Sequence, residues 1–273
     1  MSGPSSQPTA ALPDGWTVVA IAILVNFLGM LSHEVLGHGL AALLVGLHPS
    51  RVSSVDLVVS FRGAALWQMR VVSAAGCAAN LALAGIALAV WRRAASWSPP
   101  TRFFCWLLAT VSLLVPGGYL LFGAPIGFGD WGDFERGLHP LWAWKIALTG
   151  LGLAISVAGL RWGAKHLRTL VPSGSQGRRS AWRLALWPYL TGGFVSMAAA
   201  AFNPTSPVLI VTSAAAASFG GTSWLLWIGS IVARHPPNGG SPAPPLRRDP
   251  GWIFAGAVAL ALYLAVLGPG LPR

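Results

Sequence analysis

Long apolar runs separated by short polar connections dominate the chain. A helix needs about 20 apolar residues to cross the hydrocarbon core of a bilayer. Seven runs are of that kind, at residues 16–46, 71–91, 103–122, 144–160, 181–202, 207–232 and 251–267. The pattern therefore predicts an all-α polytopic membrane protein with about seven transmembrane helices.

The stretch at residues 52–69 has a different period. Apolar side chains occupy alternate positions on both sides of Gly63, namely Val55, Leu57, Val59, Phe61, Ala65, Trp67 and Met69. Alternation of this kind around a turn residue is typical of a β-hairpin. We expect a short β-hairpin after the first helix, with an interfacial loop that forms no sheet as the alternative.

Composition supports the membrane class. The mean hydropathy is +0.63 and only 9% of the residues are charged, whereas soluble domains carry about 25% charged residues. The formal net charge of +11 would suggest a nucleic-acid partner in a soluble protein. Here the basic residues lie mainly between apolar runs, where they set orientation and contact phospholipid headgroups. The predicted partner is the lipid bilayer, and no nucleic acid is expected.

The distribution of Lys and Arg predicts an orientation. Twelve of the 18 basic residues lie in the connections 92–102, 161–183 and 234–248. The positive-inside rule places these connections, and with them the N-terminus, in the cytoplasm. We expect a multi-pass protein of the bacterial cytoplasmic membrane, in which residues 163–183 form a flexible basic loop.

The first apolar run contains three ionisable residues, His33, Glu34 and His38. Such residues are costly inside a membrane and mark function by default. Two neutral histidines can bind zinc through ring nitrogens, and an adjacent glutamate can take a proton from the bound water. Asn26, seven residues before His33, lies on nearly the same helical face and could orient the site. The alternative is a set of interhelical hydrogen bonds without metal.

The spacing of the two histidines sets a condition on the zinc site. Ligands at i and i+4, as in His-Glu-x-x-His, lie about 40° apart around a regular α-helix, whereas the interval of five in this chain gives about 140°. A π-type turn would bring His33 and His38 closer together, and such turns concentrate at functional sites. Gly37 lowers the cost of a distortion. A zinc site at this point therefore requires the helix to bulge or open between the two histidines.

A catalytic zinc needs a third protein ligand in addition to water. The chain has only seven acidic residues besides its 18 basic ones, so the candidates are few. Asp14 and Asp249 lie in Pro-, Gly- and Ser-rich segments that we expect to be mobile, and Asp56 belongs to the predicted hairpin. The Gly-rich segment 127–135, just after the third helix, is the remaining source of a ligand.

Three acidic residues lie within this Gly-rich segment. Asp130 is closest to the membrane run and is the first choice for the third metal ligand, with Asp133 as the reserve. We expect Glu135 to pair with Arg136. The alternative for the whole segment is a polar interfacial turn without a metal.

The order of these features resembles the site-2 protease group of membrane-embedded zinc metalloproteases. The matching pieces are His33-Glu34 with His38, the hairpin region 52–69, residues 75–81 (Ala-Gly-Cys-Ala-Ala-Asn-Leu) and Gly129-Asp130-Trp131. The resemblance covers about residues 20–135. It departs from the group in the longer histidine interval and in the missing Leu-Asp-Gly context around the aspartate. A His-Glu-x-x-Gly-His interval does resemble the zinc helix of soluble dipeptidyl-peptidase III enzymes.

The resemblance implies a role for each matched residue. His33, His38 and Asp130 would be the zinc ligands, and Glu34 would be the general base. Asn80 would be a polar group near the substrate or the oxyanion.

The leading hypothesis is a zinc metalloendopeptidase, a hydrolase that cleaves a membrane protein or peptide substrate in or near the bilayer. The alternatives are a membrane zinc hydrolase acting on a lipid amide or ester, and a non-enzymatic scaffold or transporter. In this interpretation residues 1–15 are a mobile N-terminal tail, 16–135 form the metalloprotease core and 136–273 add transmembrane helices.

Overall fold

The computed structural model describes residues 12–203, 210–237 and 245–272. Most of the tail predicted at residues 1–15, and the centre of the connection 234–250, lie outside the described residues. The two acidic residues expected in mobile segments are both ordered helix caps. Asp14 accepts a hydrogen bond from the Thr17 amide at 2.9 Å, and Asp249 accepts one from the Gly251 amide at 3.0 Å.

Seven helices of the described residues are long and apolar enough to cross a membrane, which confirms the predicted polytopic all-α fold. They and one short surface helix are α1 (Gly15–Leu44), α2 (Leu66–Trp91), α3 (Pro99–Ile126), α4 (Asp130–Glu135), α5 (Leu141–Leu170), α6 (Gly174–Ala201), α7 (Ala214–Arg234) and α8 (Pro250–Leu267). Most of the spans extend a few residues beyond the predicted apolar runs, because polar residues continue the helices past the hydrocarbon core.

The flexible basic loop predicted at residues 163–183 is wrong. The helix α5 continues to Leu170 and α6 begins at Gly174, so only three residues connect them. The Gly- and Ser-rich composition suggested a loop, but Arg and Gln are good helix formers and the first turns of α6 project beyond the apolar run. The basic side chains of this region are therefore held on helix ends.

A β-hairpin follows α1, as predicted, but its strands are displaced toward the N-terminus. Strand β1 (Pro49–Val52) pairs antiparallel with β2 (Leu57–Val59). The turn is held by Ser53, whose amide donates to the Asp56 carbonyl at 2.9 Å and whose hydroxyl accepts from the Asp56 amide at 3.1 Å. This side-chain bond replaces the turn that we expected at Gly63.

The second arm of the predicted hairpin is helical. The alternation at residues 65–69 belongs to the first turn of α2, which begins at Leu66. Gln68 stabilises this start, because its Oε1 accepts from the Ala65 amide and its Nε2 donates to the Val45 carbonyl, both at 2.8 Å. Gly63, with a φ of +78°, forms the turn between β2 and α2.

A third strand joins the hairpin from the far end of the chain. Strand β3 (Leu271–Pro272) pairs antiparallel with β1, which gives the strand order β2-β1-β3. Two residues are too few to show a periodic pattern, so the sequence did not predict this strand. Because β3 covers one edge of β1, the edge strand on the opposite side of the sheet is β2.

One buried cluster joins the first three spans to the later ones. Trp106 of α3 is fully buried in it, and its indole N–H donates to the Gly163 carbonyl of α5 at 3.0 Å. Buried residues of α1, α6 and α7, such as Ile21, Leu184 and Ile228, belong to the same cluster. The helices after residue 135 therefore pack around the first three and fix their positions.

Candidate metal centre

The helix α1 changes its winding at the two histidines. Residues Leu31–Gly39 form a π-helix inside the span, in which hydrogen bonds connect residues five apart and not four apart. His33 and His38 are therefore brought to the same side, with ring centroids 4.7 Å apart and planes at 86°. The distortion that a zinc site at these two histidines requires is therefore present.

Two glycines allow α1 and α2 to cross in contact at this point. A Cβ atom on Gly37 would lie 2.6 Å from the Gly76 Cα atom, and one on Gly76 would lie 2.5 Å from His38 Nε2 and 2.7 Å from His33 Nε2. We expected Gly37 to lower the cost of the bulge, but its backbone conformation is an ordinary helical one. A glycine is required there because any side chain would clash with the backbone of α2. Gly76 leaves the space around the two ring nitrogens open.

Asp130 completes a three-residue cluster with the histidines. Its Oδ2 lies 3.5 Å from His33 Nε2 and 3.2 Å from His38 Nε2. One ligand atom from each residue lies within 4.8 Å of the others, which makes this group able to hold a metal ion. The two histidines and the first-choice aspartate of the sequence thus converge from α1 and α4.

Two glycines and a tyrosine place Asp130. Gly127 ends α3 in the left-handed region (φ 66°, ψ 45°), and Gly129 takes φ 60° and ψ −140°, a region open essentially to glycine alone. The Asp130 amide then donates to the Tyr119 hydroxyl at 3.0 Å. Tyr119 lies in an apolar run with no motif around it, so no sequence pattern indicated this role.

The α4 segment is tied to α2 and α5 around the aspartate. Arg70 of α2 donates through Nη2 to the Arg136 carbonyl at 2.9 Å and through Nε to the Phe134 carbonyl at 3.3 Å. Lys145 of α5 lies 3.7 Å from the buried Glu135 carboxylate. These contacts hold the short helix that carries Asp130 against the membrane-spanning helices.

The predicted pair between Glu135 and Arg136 is wrong, because successive residues of a helix end point to different sides. Arg136 pairs with Asp133 at 2.7 Å, and Glu135 pairs with Lys145. Asp133, the reserve ligand, is thereby engaged with a cation and does not belong to the metal-binding group found among the described residues. The geometry favours Asp130 over Asp133.

Hydrogen bonds to the other ring nitrogens fix the orientation of both histidines. His38 Nδ1 lies 2.7 Å from the Val72 carbonyl oxygen, which only accepts, so Nδ1 carries the proton and Nε2 is left with a lone pair. His33 Nδ1 lies 3.4 Å from the Asn80 amide. The Asn80 atom in this contact is the amide nitrogen Nδ2, so the contact orients the His33 ring, while the Val72 carbonyl both orients His38 and sets its tautomer.

The donor set fits a small divalent cation. Zinc ligands at about 2.0–2.1 Å in a tetrahedron stand about 3.3 Å from one another, and the two separations from Asp130 to the histidines are 3.5 and 3.2 Å. Imidazole lone pairs and a carboxylate at this distance repel unless a proton or a cation lies between them. Two imidazoles and one carboxylate are also a ligand set that zinc accepts.

The electrostatics keep the aspartate ionised. Burial alone would raise the pKa of the Asp130 carboxyl, but whenever the histidines carry protons on Nε2, the positive charge of His38 and hydrogen bonds from both histidines outweigh burial and hold the pKa well below its usual range. A carboxylate in this state is the form that ligates a metal.

Glu34 lies beside the cluster with an uncommitted carboxylate. Only 8% of the residue is exposed, and it lines the cavity next to His33 and His38. Among the described residues none donates a hydrogen bond to its side chain. The carboxylate therefore lines the same cavity as the three candidate ligands and is free to accept a hydrogen bond there.

The two asparagines that the sequence associated with the site occupy different places. Asn80 is buried, contacts His33 and lines the cavity. Asn26 also lines the cavity but does not orient the histidines, because its Nδ2 donates to Ser196 Oγ of α6 at 3.1 Å. Ser196 in turn lies 3.5 Å from the Tyr263 hydroxyl of α8. Asn26 therefore connects α1 to the later helices.

A cavity of about 880 Å³ opens onto the cluster. Its walls come from α1, the hairpin, α2, α3, the segment around α4, α6, α7 and α8, with apolar residues that include Val55, Leu57, Val59, Phe61, Val72, Val111, Val115 and Phe122. Volumes of this order are typical of ligand sites. The hairpin forms one wall through residues 54–59, so the edge strand β2 lies next to the candidate metal ligands.

Comparison with protein-family models, with curated proteins and with solved structures finds no match to the chain. The geometry of the site and the membrane-spanning fold are accordingly the basis for a functional assignment.

Proposed function

We propose that the chain is a membrane-embedded zinc metallopeptidase that hydrolyses a peptide bond in or near the bilayer. The observation that carries the proposal is the π-helical turn of α1, which directs His33 and His38 onto Asp130. If the bulge only relieved strain, it would not be expected to bring two imidazoles and a carboxylate together at a membrane span, where each polar group is costly.

The proposed roles follow the positions of the side chains. His33, His38 and Asp130 would hold a zinc ion, which supplies a Lewis acid for the scissile carbonyl and activates water. Glu34 would accept the proton of the attacking water and deliver a proton to the leaving amine. Asn80, beside His33 on the cavity wall, would fix that ligand and stand within the region that a substrate carbonyl enters.

The hairpin supports a peptide as the substrate. A helical substrate hides its carbonyls in backbone hydrogen bonds, so it must be extended before attack. Strand β2 is one of the two edge strands of the sheet and lines the cavity, and an extended peptide can pair with such an edge through its main chain. A lipid amide or ester would have no use for a strand partner.

Metal content is the first test of the proposal. The purified full chain, washed of loosely bound metal, should retain about one equivalent of zinc by inductively coupled plasma mass spectrometry, the number expected of a single-ion catalytic site. His33→Ala and Asp130→Ala should each retain little, and Asp133→Ala should retain as much as the unaltered chain. Equal retention in Asp130→Ala and Asp133→Ala would refute the assignment of the third ligand.

Turnover is tested with Glu34→Gln, which keeps the size of the side chain and removes the base. The variant should bind zinc normally but should release no new peptide termini. Membranes that contain the unaltered chain or the variant would be compared by terminal-peptide mass spectrometry and, in parallel, by lipid mass spectrometry. Termini that depend on Glu34 support the peptidase, whereas a Glu34-dependent change in lipids alone would replace it by the lipid hydrolase.

A further inference from the structure

The side of the protein opposite the metal centre carries an unusual excess of positive charge. Seven successive spans bring the start of α1, the end of α2, the α5–α6 connection, the end of α7 and the start of α8 to this side, here called the basic face. Its twelve basic residues are Arg92, Arg93, Arg102, Arg161, Lys165, Arg168, Arg178, Arg179, Arg183, Arg234, Arg247 and Arg248. Among the described residues none of these twelve forms an ion pair with Asp or Glu. The five contacts between a carboxylate and a His, Lys or Arg side chain in the described residues all lie on the other side.

A concave site on the basic face gathers three of these arginines. A cavity of about 710 Å³ lies between the start of α1, the middle of α6 and the segment before α8. Its lining includes Arg183, Arg247 and Arg248, together with Trp16 and Trp187. The one acidic side chain in the lining belongs to Asp14, whose Oδ1 is engaged by the Thr17 amide and hydroxyl at 2.9 Å.

The site is layered in the way that a phospholipid is layered. Arg183 donates to the Pro13 carbonyl at 3.1 Å, which places its guanidinium level with the start of the first span. Trp187 lies one turn further along α6 toward the bilayer, with its ring 5.9 Å from the Arg183 guanidinium carbon. Val19 lies one turn into α1 and also lines the cavity. Cationic groups therefore lie at the phosphate level, indoles at the interface and the aliphatic side chain of Val19 below.

We propose that this cavity binds the headgroup of an anionic phospholipid, with the phosphate held by Arg183, Arg247 and Arg248. Arginine forks match phosphate oxygens, and the exposed Arg247 and Arg248 have no carboxylate partner among the described residues. The tryptophan rings at the interface and Val19 below them favour a lipid over a soluble phosphate, because a phosphate has no apolar part to place against them. Such a lipid would seal α1, α6 and α8 together on the side away from the metal centre.

The test uses two matched pairs of adjacent, exposed arginines. Detergent-purified full chain would be titrated with dioleoylphosphatidylglycerol and with dioleoylphosphatidylcholine, and bound lipid counted by native mass spectrometry. Arg247→Gln with Arg248→Gln should weaken phosphatidylglycerol binding about 10- to 30-fold, the loss expected for two basic residues at a membrane surface. Arg178→Gln with Arg179→Gln removes the same charge from the same face outside the cavity and should change binding less than about threefold.

Each other result contradicts the proposal. Equal losses in the two double variants would show a diffuse attraction of the whole face in place of a site. Equal binding of the two lipids would remove the phosphate-selective arginines from the assignment. Displacement of phosphatidylglycerol by equimolar inorganic phosphate would assign the cavity to a soluble anion. Melting temperatures of both double variants close to that of the unaltered chain establish that the fold is intact, since neither arginine pair makes a side-chain hydrogen bond in the described residues.

Discussion

The two sides of the membrane-spanning bundle use charge in opposite ways. On the side of the metal centre, the site face, the described cations are few and most hold the chain together, as Arg51 pairs with Asp56, Arg136 with Asp133 and Lys145 with Glu135. On the basic face twelve cations stand against two acids, Asp14 and Asp249, and both acids cap helices. Charged side chains on the site face pair with one another within the protein, whereas those on the basic face are directed to the surroundings.

The difference explains why composition alone predicts the charge of one side but not the geometry of the other. A diffuse excess of Lys and Arg acts through its total, so its effect on orientation can be counted from composition alone. A metal centre acts through positions accurate to fractions of an ångström, which depend on glycines and hydrogen bonds distant in sequence. Variants on the site face should therefore have sharp, position-specific effects, and variants on the basic face should have graded ones unless they touch the lipid cavity.

The largest effect is expected from the close contact between α2 and the histidines. Gly76→Ala places a methyl group 2.5 Å from His38 Nε2 and 2.7 Å from His33 Nε2. Imidazole rings can rotate away from the added methyl group, so the fold should persist while the ligand geometry is lost. Zinc affinity should then fall by up to about 100-fold, as it does when the orientation of metal ligands is disturbed.

Gly85→Ala is the matched control, because it lies on the same helix with nothing within 4 Å of the added Cβ. Zinc affinity measured by competition with a chromogenic chelator should be unchanged in Gly85→Ala, and its melting temperature should be unchanged or slightly raised. A Gly76→Ala protein that binds zinc with normal affinity would place the ligands elsewhere.

Orientation of the two faces gives the next largest effect. If the basic face is cytoplasmic, Ser60→Cys on the site face should react with a membrane-impermeant maleimide in intact cells, and Ser96→Cys on the basic face should react only after permeabilisation. Both positions are exposed, and the native Cys77 and Cys105 are buried. In intact cells Ser60→Cys should therefore be labelled about tenfold or more above Ser96→Cys under the positive-inside rule. The opposite ratio would make the basic excess a consequence of lipid binding and not of orientation.

The fold could be predicted from the sequence to a large extent. Seven apolar runs gave seven spans because hydrocarbon thickness fixes their length, and a strand alternation gave a hairpin near the right place. The predicted position of the hairpin was wrong for two reasons. The Ser53–Asp56 turn depends on a single side chain, and the alternating residues 65–69 are equally compatible with the first turn of a helix. Strand β3 depends on a long-range contact with β1 that no local pattern shows.

The sequence predicted which three side chains converge at the candidate site, but not the residues that hold them in place. His33, Glu34 and His38 stand out because ionisable residues inside a span are costly, and the interval of five required the π turn that is present. Gly76 and Tyr119 could not be singled out, because a glycine in a membrane helix and a tyrosine in an apolar run are ordinary residues. Their roles follow from a helix crossing and from a loop conformation, which exist only in the folded chain.

The role of Tyr119 in positioning Asp130 can be tested by removing one oxygen atom. Tyr119→Phe removes the hydroxyl that accepts the Asp130 amide at 3.0 Å and leaves a buried donor without a partner. Zinc affinity should fall about tenfold, the effect of losing one such hydrogen bond of about 1–2 kcal/mol, with the overall fold retained. Tyr189→Phe, far from the cluster and packed on Phe219, is the control and should bind zinc as the unaltered chain does.

The smallest effect is expected where the end of the chain braces the hairpin. Strand β3 pairs with Arg51 and Val52 of β1, and the Leu267 carbonyl accepts from the Ser54 amide at 2.7 Å. Removing residues 270–273 frees one edge of β1, so amide exchange at residues 51–52 should accelerate by several fold, as at other weakly held sheet edges. Zinc content should remain unchanged, because no ligand or ligand support lies on β3. A loss of zinc in this variant would show that the sheet and the metal centre form one cooperative unit, and the contrast between the two faces would then extend from charge to stability.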